Sequence, residues 1–341
     1  SGNGQMEQSL AVVGGGYWGK NLVRNFAQLG ALGCICDSNE ELLQAYSEEY
    51  PNIRRTSRLE EVLTEDSIQA VAIATPAESH YVHVKEAILR GKNVFVEKPL
   101  ALKYEQGREL VTLAKDRGVL LMVGHILNYH PAVRLLKEIV QKHELGRIWY
   151  IYSTRLNLGK VRQEENILWS FAPHDISVIC ELLGSEPKEV TASGGSYLQS
   201  GIVDVTVSSL FFEDGVKAHI FVSWLHPYKE QKLVVIGEKK MAVFDDMARE
   251  GKLKIYDKGI QWESGLPVPR QTAETTLFFD ETEPLRLECE HFLTCIREHT
   301  CPLTDGESAL RVLKVLEASQ RSLEKGSVPV SLSEIAEAEA K

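Results

Sequence analysis

A run of glycines near the start of the chain constrains its fold more than any other feature. The run is Gly14-Gly15-Gly16-Tyr17-Trp18-Gly19, which follows an apolar segment that predicts a strand, Leu10 to Val13, and precedes a predicted helix to about Leu29. The G-x-G-x-x-G spacing permits a tight turn, a close approach of backbone amides to a pyrophosphate, and close packing of the helix on a sheet. We therefore expect the turn to bind a dinucleotide, with the pyrophosphate at the positive end of the helix dipole.

An aspartate lies where a turn of this kind requires a carboxylate. Asp37 ends a second predicted strand, Leu32 to Cys36, about 20 residues after the glycines, and would hold the ribose hydroxyls. No lysine or arginine occurs in Ser38-Asn39-Glu40, so a 2′-phosphate would meet uncompensated negative charge. The sequence therefore favours NAD over NADP. The alternative is that Asp37 only caps the helix predicted to begin near Glu40.

Predicted strands and helices alternate after the glycine turn, which indicates a doubly wound parallel sheet and an α/β fold. Thr75 and Pro76 follow the strand predicted over Ala70 to Ala74, at the edge of the sheet where ligands bind. We expect these two residues to lie next to the nicotinamide. His80 would either assist there or lie at the start of the helix predicted over Tyr81 to Arg90.

The same edge of the sheet carries a lysine. Val94 to Val96 predicts a strand that is buried on both faces, and Glu97-Lys98-Pro99 follows it directly. Pro99 disfavours helical dihedrals at Lys98, so the lysine should be held extended at the edge. Lys98 is therefore a candidate for chemistry, although a lone lysine in a loop is more often simply solvated.

The pattern changes in the second half of the chain. Segment Ile148 to Asn157 has the period-two pattern of a strand whose two faces carry different side chains. Several further strand-like segments follow it. Such a run of strands predicts an α+β domain with a large, mainly antiparallel open sheet. We assign residues 1–125 to a dinucleotide-binding domain and residues 126–341 to a domain for substrate binding and oligomerisation. The last two predicted helices, Pro284 to Glu298 and Glu307 to Lys325, belong to the second domain or pack back on the first.

A polar and aromatic segment, Gly124 to Pro131, connects the two predicted domains. It is either a plain linker that ends at a proline in the first turn of a helix, or part of the wall of a cleft. Its imidazole, amide and phenol groups favour the cleft. We therefore expect His125, Asn128 and Tyr129 to contact substrate.

A histidine and an aspartate, His174 and Asp175, precede an apolar helical segment that ends at Leu183. Pro173 suits the first turn of a helix, so both residues would lie near an amino terminus, where the dipole favours a neutral imidazole and an ionised carboxylate. A neutral histidine is what a general base requires. The alternative is that Asp175 caps the helix and His174 packs beside it.

Charge and composition exclude several classes of function. The net charge is −10 and no run is rich in lysine or arginine, so nothing indicates a nucleic-acid or acidic-membrane partner. No apolar stretch approaches the roughly 20 residues of a membrane helix, and residues 1–8 lack the pattern of a signal peptide. The six cysteines have neither a zinc-binding nor a disulfide spacing, so we expect reduced thiols, no metal and a cytoplasmic protein.

Together these residues resemble the Gfo/Idh/MocA oxidoreductases, a family named after glucose-fructose oxidoreductase and inositol dehydrogenase. The most specific mark of the family is Glu97-Lys98-Pro99. The resemblance implies a Rossmann domain, a second domain with an open sheet, and hydride transfer between NAD(P) and a sugar or polyol carbon. It also implies that Lys98 touches the reacting hydroxyl and the nicotinamide, and that His174 relays the proton. The cofactor contacts it implies are Gly14, Gly16, Tyr17, Trp18, Gly19, Asp37, Thr75, Pro76, His80, Glu97 and Lys98.

Three longer segments, Tyr17 to Phe26, Gly124 to Ala132 and Trp169 to Ser177, look like the subgroup that acts on nucleotide sugars. Its members include 3-dehydrogenases of UDP-N-acetylglucosamine and of its uronic acid, which supply a keto sugar to an aminotransferase. We therefore expect oxidation at C3 of such a sugar, with a free sugar or inositol as the alternative substrate. A non-catalytic NAD-binding regulator is a further alternative, but a regulator would need neither Lys98 nor His174.

One position departs from the family pattern. Many members have an aspartate four residues before the histidine, where this chain has Ser170. Either Asp175 or a water molecule would then orient His174, or proton transfer would depend more on Lys98.

The first strand of the second domain supplies the last candidates. Arg155 and Asn157 lie at its end, and we expect them to hold the substrate. The alternating strand also has a second face that needs cover, so we expect a homodimer or a homotetramer.

Overall fold

The computed structural model describes residues 7–337, apart from the side chains of residues 271, 272 and 337. Most of the amino-terminal segment 1–8, considered above as a leader, lies outside the described residues. The chain forms two compact units. The first contains the described residues up to Tyr129 together with Thr282–Leu313, and the second contains His130–Glu281 and the described residues from Lys314 onward.

The first unit is built on a six-stranded parallel sheet in the order β3-β2-β1-β4-β5-β6. Its strands are β1 (Leu10–Val13), β2 (Leu32–Cys36), β3 (Arg54–Thr56), β4 (Ala70–Ile73), β5 (Asn93–Glu97) and β6 (Leu121–Gly124). Its helices up to Tyr129 are α1 (Gly19–Gln28), α2 (Glu40–Glu49), α3 (Leu59–Leu63), α4 (Ala77–Leu89), α5 (Tyr104–Arg117) and a 3₁₀ helix (Ile126–Tyr129). The order reverses between β1 and β4, as expected of a doubly wound sheet.

The central strands of this sheet are apolar on both faces. Every residue of β1 and β4 is buried, and so are the three apolar residues in the middle of β5. Helices cover both faces of a parallel sheet of this kind, so its strands read as continuous apolar runs. This is why the sequence predicts the sheet correctly.

One helix of the first unit begins earlier than the sequence predicts. Helix α4 starts at Ala77 and not at Tyr81, because Ala77 directly follows Pro76 at the helix cap and Glu78 lies in the favourable first turn. His80 is therefore inside the first turn of α4 and is almost completely buried.

The second unit contains a nine-stranded sheet in the order β14-β13-β12-β11-β7-β10-β9-β8-β15, which is antiparallel except between β7 and β10. Its strands are β7 (Ile148–Leu156), β8 (Glu189–Gly195), β9 (Val205–Phe211), β10 (Lys217–Ser223), β11 (Glu230–Gly237), β12 (Met241–Asp245), β13 (Leu253–Glu263), β14 (Leu266–Leu277) and β15 (Val330–Ser331). Two helices precede most of these strands, α6 (Pro131–Gln141) and α7 (Ile167–Leu183). Helix α7 packs on β7, β9 and β10.

Strand β7 has two different faces, as its alternation predicts. Ile151 and Ser153 on one face are buried, whereas Tyr150 on the other face is exposed and Tyr152 is partly exposed. From the sequence we predict a strand over Leu253 to Tyr256, and the structure has a longer hairpin there, formed by β13 and β14. Prolines argue against a strand, but β14 is an edge strand, where a missing backbone donor is tolerated.

The last helices are α8 (Pro284–Glu298), α9 (Gly306–Glu324) and α10 (Leu332–Glu337). Helix α8 belongs to the first unit, where the ring of Phe292 lies edge-on against that of Phe95, with centroids 5.8 Å apart. The first unit thus includes residues from near the end of the chain as well as residues 126–129. None of the helices within residues 7–337 combines the length and the apolar character that crossing a membrane requires.

Candidate active site

The glycine turn between β1 and α1 is shaped by close backbone contacts. Gly14 has a φ of +92°, and its amide donates to the carbonyl of Cys36 at 2.8 Å. A β-carbon on Gly19 would lie 1.8 Å from the carbonyl oxygen of Gly14, so only glycine fits there. A β-carbon on Gly16 would meet no atom within 4 Å, so the backbone at Gly16 borders open space. This combination fits a pyrophosphate at the start of α1.

Asp37 is fixed beside this turn. Its carboxylate accepts hydrogen bonds from the amides of Gly15 and Asn39, both at 2.8 Å. The alternative in which Asp37 caps α2 is wrong, because the side chain of Asn39 accepts the amides of Glu41 and Leu42 and is the cap. The carboxylate is therefore in the position that suits a ribose diol.

Two further side chains at this edge were not predicted. The hydroxyl of Tyr46 donates to the carbonyl of Gly15 at 2.7 Å and supports the glycine turn from α2. His83 lies one turn after His80 on α4, and its Nδ1 is 3.1 Å from the hydroxyl oxygen of Thr75. Both contacts join residues that are separated in the sequence, so no local motif predicts them.

His80 joins the ends of two strands. Its Nδ1 lies 2.7 Å from the carbonyl oxygen of Pro99, and its Nε2 lies 2.8 Å from that of Thr75. The side chain is 1% exposed, and burial lowers its pKa. A neutral imidazole has one N–H and donates to one of these two oxygens, so His80 lies between the exits of β4 and β5 with a hydrogen bond to one of them.

Lys98 follows β5 and is partly exposed, and the Lys98–Pro99 peptide is cis. The carboxyl of Glu97 points into the protein, where a β-carbon on Gly124 would lie 2.7 Å from its Oε2. Burial raises the pKa of Glu97 to about 7, against the opposing effect of the Lys98 charge. Glu97 therefore lies below the strand end and not on the open side of the turn.

The segment after β6 is more deeply buried than a cleft wall would be. His125 is 2% exposed, and burial together with the charge of Lys98 lowers its pKa to about 3, so the imidazole is neutral at pH 7. Asn128 is also buried. Tyr129 is fully buried, with its hydroxyl 2.7 Å from that of Thr304, so its predicted role as a substrate contact is wrong.

In the second unit, α7 begins before the predicted position. Its first residue is Ile167, and the side chain of Asn166 caps it by accepting the amide of Trp169. Pro173 is thus inside the helix and not in its first turn. The predicted effect of the helix dipole on His174 is therefore wrong, since such effects fade within the first turn.

Asp175 and Arg155 form a bidentate ion pair. The Asp175 carboxylate lies 3.0 Å from Nε and 3.3 Å from Nη2 of Arg155, and the Asp175 side chain is 2% exposed. With its amide turned to suit its neighbours, Gln231 accepts from Arg155 and donates to Asp246. The Asp175 carboxylate thus accepts two hydrogen bonds from Arg155, and its role in orienting His174 stays a prediction.

The same network extends to the start of α6. Nε2 of His130 lies 3.2 Å from Asp246, and its Nδ1 accepts the amide of Ala132 as the helix cap. Against the effect of burial, the hydrogen bond from His130 lowers the pKa of Asp246. Asn157, just beyond β7, donates a hydrogen bond from its backbone N–H to the carbonyl of Ser223. The polar network was not predicted, because its members come from five separate segments.

Comparisons with known proteins agree with this architecture. Residues 9–125 match the model of an oxidoreductase family with an NAD-binding Rossmann fold, and residues 133–243 match the GFO/IDH/MocA C-terminal domain.

The chain belongs to the GFO/IDH/MocA oxidoreductase family.

Two relatives cover most of the chain. It is 26% identical to UDP-N-acetylglucosamine 3-dehydrogenase from Acidithiobacillus ferrooxidans, over 89% of this chain and 93% of that protein. It is 27% identical to scyllo-inositol 2-dehydrogenase (NAD(+)) from Bacillus subtilis, over 93% of each chain. A solved structure of the Acidithiobacillus enzyme has the same fold, with a TM-score of 0.82 over 93% of this chain and 97% of that one.

The first unit is therefore an NAD-binding Rossmann domain. The turn from Gly14 to Gly19 and the carboxylate of Asp37 are the parts that would hold the pyrophosphate and the ribose. The predictions of the fold class, of the family and of NAD as cofactor are confirmed.

We expect two substitutions in the glycine turn to have different effects. Gly19→Ala places a β-carbon against the Gly14 carbonyl and should lower the free energy of unfolding by about 1–3 kcal/mol. Gly16→Ala meets no atom and should leave the stability of the ligand-free protein unchanged, while weakening NAD binding. Chemical denaturation and NAD titration of both variants measure these effects, and equal loss of stability in the two variants would contradict the account.

Proposed function

We propose that this protein is an NAD-dependent dehydrogenase that oxidises a sugar hydroxyl to a ketone, at C3 of a UDP-N-acetylglucosamine or UDP-N-acetylglucosaminuronate type of nucleotide sugar. The observation that carries the proposal is Lys98, held at the same sheet edge as Thr75 by the contacts of His80 in an NAD-binding domain. The similarity to UDP-N-acetylglucosamine 3-dehydrogenase over most of both chains supports the substrate class.

A second substrate class has comparable support. The scyllo-inositol 2-dehydrogenase relative is 27% identical over a similar length, so a free polyol or sugar is the alternative. Both classes have a secondary hydroxyl whose carbon gives up a hydride, and they differ in whether a nucleotide must be bound.

We assign the chemical roles as follows. Bound NAD supplies the hydride acceptor. Lys98 provides positive charge where the alkoxide develops, an effect that commonly amounts to a few kcal/mol. His174 takes the hydroxyl proton. Because this chain has Ser170 where many family members have an aspartate, Asp175 or a water molecule would orient His174, or proton transfer would depend more on Lys98.

Arg155 has a supporting role in this proposal. Its bidentate bond to Asp175 fixes the guanidinium and leaves Nη1 directed at Gln231, so Arg155 shapes the end of β7. Asn157, two residues further along, remains our candidate for a direct contact to the substrate.

Lys98→Met should leave NAD affinity nearly intact and lower turnover by at least about a hundredfold, because it removes the charge that stabilises the alkoxide. Steady-state rates and NAD titration measure the two quantities. Lys103→Met is the matched control, because Lys103 is exposed five residues later and should retain full turnover. Near-normal turnover in Lys98→Met would refute the assignment.

The two substrate classes can be separated by ligand stabilisation. A ligand that binds only the native state stabilises it by RT ln(1 + [L]/Kd), so at equal concentration the tighter ligand raises the unfolding temperature more. In the presence of NAD, we expect UDP to raise the melting temperature and myo-inositol to have no effect. The reverse pattern, measured by differential scanning fluorimetry, would favour the polyol alternative.

We also propose that the protein self-associates through the open face of its nine-stranded sheet. Tyr150, Tyr152 and His219 form a stacked column of rings on the face of the sheet opposite α7, with Tyr152 and His219 centroids 5.1 Å apart. Light scattering should show a dimer or tetramer, and Tyr152→Glu should reduce the measured mass. A monomeric wild-type protein would contradict this proposal.

A further inference from the structure

Two acidic side chains in the first unit have no role in the proposed chemistry. Glu97 ends β5 directly before Lys98, and Glu288 lies on α8 and is 0% exposed. Oε1 of Glu97 and both carboxyl oxygens of Glu288 are buried, and none of them accepts a hydrogen bond from a donor in the described part of the chain. Leaving three buried acceptor oxygens unsatisfied is costly, so their arrangement requires an explanation.

The packing of α8 on β5 brings the two carboxyls together. The rings of Phe95 and Phe292 are in contact and fix the position of the helix against the strand. Glu97 lies two residues after Phe95, on the same face of β5, and Glu288 lies one turn before Phe292, on the same face of α8. Gly124 of the neighbouring strand leaves the space that the Glu97 carboxyl occupies.

The two carboxyls are close enough for their charges to interact. Burial, and then the charge of Glu97, raise the pKa of Glu288 well above its ordinary value. Two adjacent carboxyls in a medium of low dielectric constant cannot both be ionised, so one of them keeps a proton.

The groups around the pair decide which carboxyl is protonated. The indole of Trp18 and the charge of Lys98, on the exit of β5, both favour the ionised form of Glu97. Cys289 on α8 and Tyr129 in the 3₁₀ helix face Glu288, and burial raises the pKa of each, so both are neutral at pH 7. His125 after β6 is neutral as well. The one cation among these neighbours is thus next to Glu97, which places the proton on Glu288.

A proton on Glu288 also satisfies two of the three unsatisfied oxygens. A protonated carboxyl is a hydrogen-bond donor, whereas two carboxylates can only accept. An O–H···O⁻ bond from Glu288 to Glu97 would therefore satisfy an oxygen of each side chain. Such charge-assisted bonds are among the stronger hydrogen bonds in proteins.

We propose that Glu288 is a positioning residue, which donates a hydrogen bond from its protonated carboxyl to the Glu97 carboxylate and so maintains a negative charge beneath Lys98. The charge holds Lys98 in its ammonium form at the strand end. The catalytic meaning of this inference rests on the proposed function of Lys98, but the proton and the charge can be measured without any substrate.

Infrared spectroscopy of the ligand-free protein tests where the proton resides. At a pH above the Glu97 pKa of about 7, the wild-type spectrum should contain the carbonyl stretch of a protonated carboxyl, and Glu288→Gln should remove it. Glu290→Gln is the matched control, because Glu290 lies on the exposed side of the same helix and pairs with Arg286. A wild-type spectrum without the band, or a band that persists unchanged in Glu288→Gln, would overturn the proposal.

The titration of Lys98 tests the effect of the charge. The signal of Lys98 in protein carrying ¹³C-labelled lysine is identified by its loss in Lys98→Arg. In Glu288→Leu the Glu97 carboxylate loses its donor and becomes neutral, so the Lys98 titration midpoint should fall by about one pH unit or more. In Glu288→Gln the amide still donates, so the midpoint should remain close to that of the wild type.

These two variants separate a positioning role from a purely structural one. A midpoint that is unchanged in folded Glu288→Leu would overturn the proposal. If Glu288→Leu does not fold, the infrared comparison of wild type, Glu288→Gln and Glu290→Gln decides alone. Both measurements use ligand-free protein, so they remain decisive if the proposed dehydrogenase activity is not found.

Discussion

The contacts of one buried imidazole organise the edge of the parallel sheet. His80 reaches the carbonyl oxygens of Thr75 and Pro99, which lie just beyond two neighbouring strands. These contacts fix the segment that carries Lys98 relative to the turn at Thr75. Below that edge, the Glu97 carboxyl occupies the space beside Gly124, which has no side chain. The chemistry proposed for Lys98 depends on this support more than on any single contact of the lysine itself.

Local sequence was sufficient to predict the parts of the fold that depend on neighbours along the chain. The central parallel strands are apolar on both faces, so they read as continuous apolar runs, and the glycine spacing reflects a backbone contact between Gly14 and Gly19. The start of α7 was missed because Pro173 is a conspicuous signal for a first turn, whereas Asn166 is the actual cap. Strand β14 was missed because an edge strand tolerates prolines that a central strand would not.

The sequence alone does not show which polar side chains of the candidate site are paired with residues elsewhere in the chain. Tyr129 carries a polar group in a promising segment, yet its hydroxyl is paired with Thr304, 175 residues later in the chain. Arg155 and Asp175 were both candidates for chemistry, and each turned out to be the partner of the other. Residue type alone does not reveal such a partner, because the pairing depends on how α7 packs on β7. Glu288 was overlooked for the same reason: it lies on the apolar face of α8, one turn before Phe292, but the sequence does not show that its carboxyl meets that of Glu97.

The central claim is that the protein oxidises a sugar hydroxyl and passes the hydride to NAD. The most direct measurement is the absorbance of reduced nicotinamide after protein and NAD are mixed with UDP-N-acetylglucosamine, its uronic acid or myo-inositol. The account predicts that reduced cofactor accumulates with at least one of these compounds, and with a nucleotide sugar in preference to the polyol. Tight binding of NAD without reduction by any sugar, nucleotide sugar or polyol would contradict the account and indicate a regulator that has kept the fold without catalysis.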